Sequence, residues 1–264
     1  MANPLSMRRY WAWAVFTSLV FSVSGCVNRP PAEHDVLGSL PAQYDATFAC
    51  ADCQGIDYQL TLGDDDRYVL RQHYRTQPPT IELVETGRWH IADNARRLSL
   101  VPADTDYTAR SSWRIEGRQA LTALDERNEP ARVLSDYRLE RHAAPKAKAL
   151  SDTRWILTNP PDEISSTNAY IEFDAARSRL LGFTGCNQLV ANYERDDRQL
   201  KLGQLATTRR ACSEHIDTEQ SLTAALRQTT SFRVVGSYLL LFGTHEDPAP
   251  LAIFQASESP RPSE

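Results

Sequence analysis

The 264 residues predict a mainly β protein in two pieces, and three features of the sequence carry that prediction. The first is alternation. Tyr58, Leu60 and Leu62 sit two apart, Gly63-Asp64-Asp65-Asp66 turns the chain, and Tyr68, Val69, Leu70 and Arg71 resume it, which reads as a hairpin. The second is the spacing of further short runs at 81–84, 87–91, 97–101, 112–115 and 121–124, divided by turn-rich gaps, as a small barrel or sandwich requires. Closing such a sheet removes edges that would otherwise pair with other chains. The third is the scarcity of helical periodicity: only 219–226, with Leu222, Ala225 and Leu226 on one face, predicts a helix, which would lie on strands of the second piece. The polar segment 141–148 (RHAAPKAK) marks the break between a first domain at 41–140 and a second at 149–256.

The N-terminus has the three-part grammar of a secretory signal: Arg8 and Arg9, an apolar run over 10–21, and small residues up to Gly25. A dozen apolar residues fall short of the roughly 20 needed to cross a bilayer, so residues 1–25 are expected to be cleaved. Val23-Ser24-Gly25-Cys26 resembles the bacterial lipobox, which implies a diacylglycerol on the Cys26 sulfur and cleavage just before it. Met7 and Trp11 fit the twin-arginine motif poorly, which favours the general secretory route. Loss of 1–25 lowers the net charge by two, from −5 to −7. Such an acidic chain is a poor nucleic-acid partner, since that binding rests on clustered Lys and Arg. It also argues against adhesion to a membrane by overall charge, and lipoprotein processing, with its several acyl chains, needs no basic patch. Val27, where lipoproteins kept in the inner membrane often carry Asp, favours anchorage in the outer membrane. Residues 26–40, with Pro30, Pro31, Glu33 and Asp35, read as a lipidated flexible tether, and 257–264 as a disordered tail.

At the front of the first domain stand Tyr44 and the run Cys50-Ala51-Asp52-Cys53-Gln54-Gly55-Ile56, followed at once by the alternating strand, with Gly87-Arg88-Trp89 further on. This set resembles the N-terminal domain of the NlpE copper-resistance lipoprotein family. Ala46, Phe48 and Ala49 stand where that family has Gly, Leu and Pro. The resemblance covers about 41–140 and implies a lipocalin-like β-barrel.

In the second domain, residues 151–157, 169–173 and 180–188 (the last containing Gly185-Cys186-Asn187-Gln188) resemble the META domain, also found in HslJ lipoproteins. So do Tyr193, Leu200, Leu202 to Leu205, Ala206-Thr207-Thr208-Arg209-Arg210-Ala211-Cys212 and Tyr238 to Phe242. The resemblance implies an antiparallel β domain with one helix and an envelope location.

Assigning Cys26 to lipid leaves four of five cysteines, an even number suited to an oxidising compartment. Three pairings are open. The two-domain division favours Cys50–Cys53 and Cys186–Cys212, because each pair then lies within one fold. The second would constrain a loop of about 25 residues, roughly 3 kcal/mol. The first encloses almost nothing, so a redox or metal role stands beside a structural one. Two thiolates at this spacing could take copper(I), whereas an oxidised pair binds nothing. A zinc set completed by His215 would straddle the domain boundary, and Gln54 stands where haem attachment needs His. Gly-x-Ser-x-Gly, His-Glu-x-x-His and phosphate-cradling glycine loops are absent. The acidic clusters Asp64-Asp65-Asp66 and 194–197 read as solvated turns, and Trp89, Trp113 and Trp155 as core. The expectation is a non-catalytic outer-membrane lipoprotein that senses stress or copper through an envelope signalling partner; the alternative is a lipocalin-like module for a small apolar ligand.

Overall fold

The computed structural model describes residues 36–77, 81–104, 111–130, 137–143, 148–158, 168–211 and 213–257. The signal segment, Cys26, most of the tether, Cys212 and the tail beyond 257 lie outside the described residues. Eight antiparallel strands close the first barrel in sequence order: β1 (Ala42–Phe48), β2 (Ile56–Leu62), β3 (Arg67–Tyr74), β4 (Ile81–Ala92), β5 (Arg97–Pro102), β6 (Ser111–Glu116), β7 (Ala120–Ala123) and β8 (Arg138–His142). β8 returns to β1 through Tyr44 opposite Arg141. Eight strands leave an interior just wide enough for side chains. Here Tyr44, Leu60, Tyr68, Trp89, Leu98, Trp113 and Leu139 fill it, all buried.

The loops after β1, β3, β5 and β7 share one end of this barrel, its mouth. The turns after β2, β4 and β6 share the other, which residues 36–40 close. Leu37 is fully buried in the core, and the Arg141 guanidinium donates to the carbonyls of Leu37 and Ser39. The tether expected to run to Leu40 therefore ends before Val36, because Leu37 and Leu40 have an apolar interior to enter. β8 also extends to His142, two residues into the segment read as linker. The runs at 81–84 and 87–91, read as separate, are one twelve-residue strand. Gly87 between them marks no break: a Cβ there would lie 2.2 Å from Val101 O and 2.7 Å from the Tyr68 ring.

The second domain is a sheet of β9 (Arg154–Leu157), β10 (Tyr170–Asp174), β11 (Arg179–Phe183), β12 (Gln188–Asp196), β13 (Gln199–Leu202), β14 (Ala206–Thr207), β15 (Ser231–Val235), β16 (Tyr238–Phe242) and β17 (Ala252–Ala256). Its order is β11-β10-β9-β17-β16-β15-β13-β12-β14, and β11 also pairs with β12, which closes a second ring. Helix α1 (Ile216–Gln228) contains the predicted helical stretch and turns Leu222 and Leu226 into a core with Trp155, Phe173, Leu239 and Phe254.

The two domains meet over the outer face of β2, β3 and β4. Val69 packs with Val235, Tyr238, Leu240 and Phe242. Buried Arg67 donates to the carbonyls of His245, Asp247 and Pro248 and lies 4.1 Å above the Phe242 ring. Burial lowers its pKa to about 10, still well above neutrality. Asp65 pairs with Arg233 at 3.0 Å, with both side chains nearly buried. The acidic cluster 64–66 is a turn, as read, yet Asp65 in it is desolvated, because the second domain brings an arginine to it.

Candidate functional site

The β1–β2 loop, residues 49–55, carries the Cys-Ala-Asp-Cys run at the mouth of the first barrel. Cys50 and Cys53 are joined by a disulfide with their Cα atoms 5.2 Å apart. Ala51 and Asp52 between them are exposed, and the two cysteines are half-buried. Backbone bonds pin the base of the loop: Gln54 N donates to Arg75 O at 3.1 Å, and Arg75 N to Gly55 O at 2.9 Å. Gly55 has φ of 144°, and a Cβ there would lie 3.1 Å from Thr47 Cγ2, so the motif's glycine answers a backbone requirement.

Behind the loop, Asp57 accepts from Thr47 Oγ1 at 2.6 Å and from Arg75 Nε at 2.8 Å. The Arg75 hydrogen bond, with help from Thr47, holds the Asp57 carboxyl below the usual carboxylate range. His73 Nδ1 lies 3.7 Å from the same carboxylate. Phe48, standing where the family has Leu, is buried against Tyr58 and Tyr137, with ring centroids 4.7 and 4.5 Å away. No group of three or more His, Cys, Asp or Glu side chains suited to a metal occurs among the described residues. With the disulfide closed, the two sulfurs offer no thiolate, so copper(I) could bind only after reduction.

In the second domain the Gly185-Cys186-Asn187 signature is a hydrogen-bond junction. Buried Asn187 donates through Nδ2 to Glu219 Oε2 at 2.8 Å and Arg210 O at 3.2 Å. Its Oδ1 accepts from Arg210 N at 2.7 Å and Thr208 Oγ1 at 2.8 Å. Thr184 Oγ1 donates to the same Glu219 oxygen at 3.0 Å. One amide thus joins the β11–β12 turn, the segment after β14 and α1. Glu219 is a residue the sequence reading passed over; its signal is an acid in the first turn of a helix, where the dipole favours one. Cys186 is disulfide-bonded, and the Cys212 expected opposite it lies outside the described residues.

Comparison with known proteins agrees with both resemblances. Residues 44–132 match the NlpE N-terminal domain and residues 148–258 the META domain. Lipoprotein NlpE of Escherichia coli K12 is 30% identical over 130 residues, 46% of this chain and 52% of that protein, so the chain spans about half the length of this relative. The crystal structure of NlpE from Escherichia coli, described as the Cpx pathway activator, aligns with 66% of this chain and 99% of its own at 16% identity and a TM-score of 0.30. A Burkholderia xenovorans protein solved by NMR aligns with 45% of this chain and 94% of its own at 20% identity and a TM-score of 0.33. This chain is built from an NlpE N-terminal domain followed by a META domain.

Proposed function

We propose that the chain is an outer-membrane lipoprotein, anchored through Cys26, that takes part without catalysis in envelope-stress or copper-related sensing. Its NlpE domain presents the cysteine loop to a signalling partner. One observation carries this reading: the domain keeps the Cys-Ala-Asp-Cys run, closed as a disulfide in a loop whose tip, Ala51 and Asp52, is exposed rather than in a core. A bridge closing so small a ring restrains the unfolded chain little, and a half-buried one in a loop with an exposed tip is within reach of reductants, which suits a reporter of redox state or copper better than a staple. The side chains filling the barrel count against the apolar-ligand alternative.

The test is a Cpx-pathway reporter in cells lacking their own NlpE. Overproduction of the chain should raise the reporter, and Cys26→Ser should abolish the rise and move the protein out of the outer-membrane fraction. A reporter that rises no more than with an unrelated lipoprotein would count against the sensing role. Reduced chain should take up one copper(I), and a Cys50→Ser, Cys53→Ser variant none.

A further inference from the structure

We propose that the closed end of the first barrel is the surface this chain lays against anionic phospholipid headgroups. The proposal rests on the lipid anchor at Cys26. The chain enters the fold at that end, where Leu37 is sunk in the core beneath the turns after β4 and β6. Between Cys26 and Val36 stand the nine residues 27–35, which reach about 30 Å at full extension. Seven-residue β1 separates the two ends of the barrel by roughly 20 Å. A short tether fixed at one end holds that end nearer the bilayer than the mouth.

Charge gives a second, independent argument. Arg96 and Arg118 are exposed at the closed end, in the β4–β5 and β6–β7 turns, and neither side chain has an ion pair among the described residues. Beside them Arg141 donates to the carbonyls of Leu37, Ser39 and Arg118 and lies 5.8 Å from the Tyr44 ring, with no carboxylate partner among the described residues. The carboxylates at this end already have partners: Asp93 pairs with Arg97, Glu116 with Arg114 and Arg138, Glu140 with Arg138, and in the β2–β3 turn Asp64 faces Arg198 and Asp65 pairs with Arg233. Three arginines without a carboxylate partner among the described residues thus share this end, on a chain whose net charge is −7 once residues 1–25 are removed. The META domain docks on β2, β3 and β4 and leaves the β6–β7 turn exposed. Each basic side chain near an anionic leaflet adds about a fivefold preference for the surface. This is too weak to recruit a soluble chain and enough to orient one already anchored.

The test uses lipoprotein purified from membranes, with the acyl mass on Cys26 verified first, so that failure of the anchor is distinguished from failure of the orientation. It is reconstituted in phosphatidylethanolamine vesicles with or without phosphatidylglycerol, which carry a nickel-chelating lipid. A spin label is placed at Gln119→Cys, beside the closed end, or at Gln77→Cys, beyond β3 at the mouth. Nickel at the headgroups should relax the Gln119 label several-fold more than the Gln77 label, and phosphatidylglycerol should widen the difference. Arg96→Glu with Arg118→Glu should cancel that widening, and the milder Arg96→Gln with Arg118→Gln should reduce it; both variants change exposed side chains and should keep their disulfides. Equal relaxation at the two sites, stronger relaxation at Gln77, or a difference indifferent to phosphatidylglycerol and to charge reversal would each overturn the proposal.

Discussion

Two acidic clusters, Asp64-Asp65-Asp66 and Glu194-Arg195-Asp196-Asp197, have opposite surroundings. Both read as solvated turns in the sequence; the first is one, whereas Glu194 to Asp196 belong to the end of β12 and only Asp197 of the second cluster turns. Asp65 has 11% of its side chain exposed and meets Arg233, exposed to 12%, at 3.0 Å. Glu194 faces Lys201 at 3.8 Å, and both side chains are 81% exposed. The first pair has lost its water and depends on its partner; the second keeps its water and depends on little. What separates them is the second domain, arriving from about 170 residues later in the chain.

The contrast can be tested by ranking variants by their loss of stability in urea. Asp65→Ala strands Arg233 and should cost about 3 kcal/mol, splitting the single unfolding transition expected of the intact pair of domains. Equal melting of both domains in one unshifted transition would break the contrast. Arg67→Met keeps much of the volume over Phe242 but removes the donor to three carbonyls, and about 2 kcal/mol should go with it. Gly236→Ala places a Cβ at a φ of 60° and 2.9 Å from Thr61 Cγ2, across the same interface; a loss of about 1 kcal/mol is expected. Asp57, 32% exposed, stands between the extremes. Its folded pKa is depressed, so its stabilisation is full above the unfolded value of about 3.9 and lost as pH falls through the lower folded value. Asp57→Asn should flatten the acid limb of the stability profile by under about 1 kcal/mol. Glu194→Gln should change stability by less than about 0.5 kcal/mol at any salt concentration.

These differences also mark what could be read in the sequence. The 58–71 hairpin was legible because its apolar residues alternate on either side of a glycine turn, and so was α1, from Leu222, Ala225 and Leu226. The Cys50 to Ile56 run was legible as a motif, since its glycine and cysteines answer local needs. The strands that close the first barrel were not: β1 mixes Asp45 and Thr47 into its alternation, and β8 carries one buried apolar residue, Leu139. Leu37 hid in a polar stretch because its partners come from strands far along the chain. Nothing local distinguishes Asp65 from Asp64, and nothing near Arg67 announces the carbonyls of 245–248 that it holds. Period and turn chemistry are properties of neighbours in sequence; desolvation is a property of neighbours in space.

The position of β17 bears on how this molecule comes to be folded. It lies between β9 and β16, pairing Phe254 with Leu157 and Leu239 with Phe254. The first strand of the second ring therefore has no neighbour on that side until a strand about a hundred residues later has been made. The first barrel, a meander of strands adjacent in sequence, can gather its hairpins as they emerge. The second must wait with one edge of β9 and one edge of β16 unpaired. The interval between making β9 and making β17 is when an unpaired edge of this chain is exposed to other chains, and a chain cut short before Ala252 would stay in that condition.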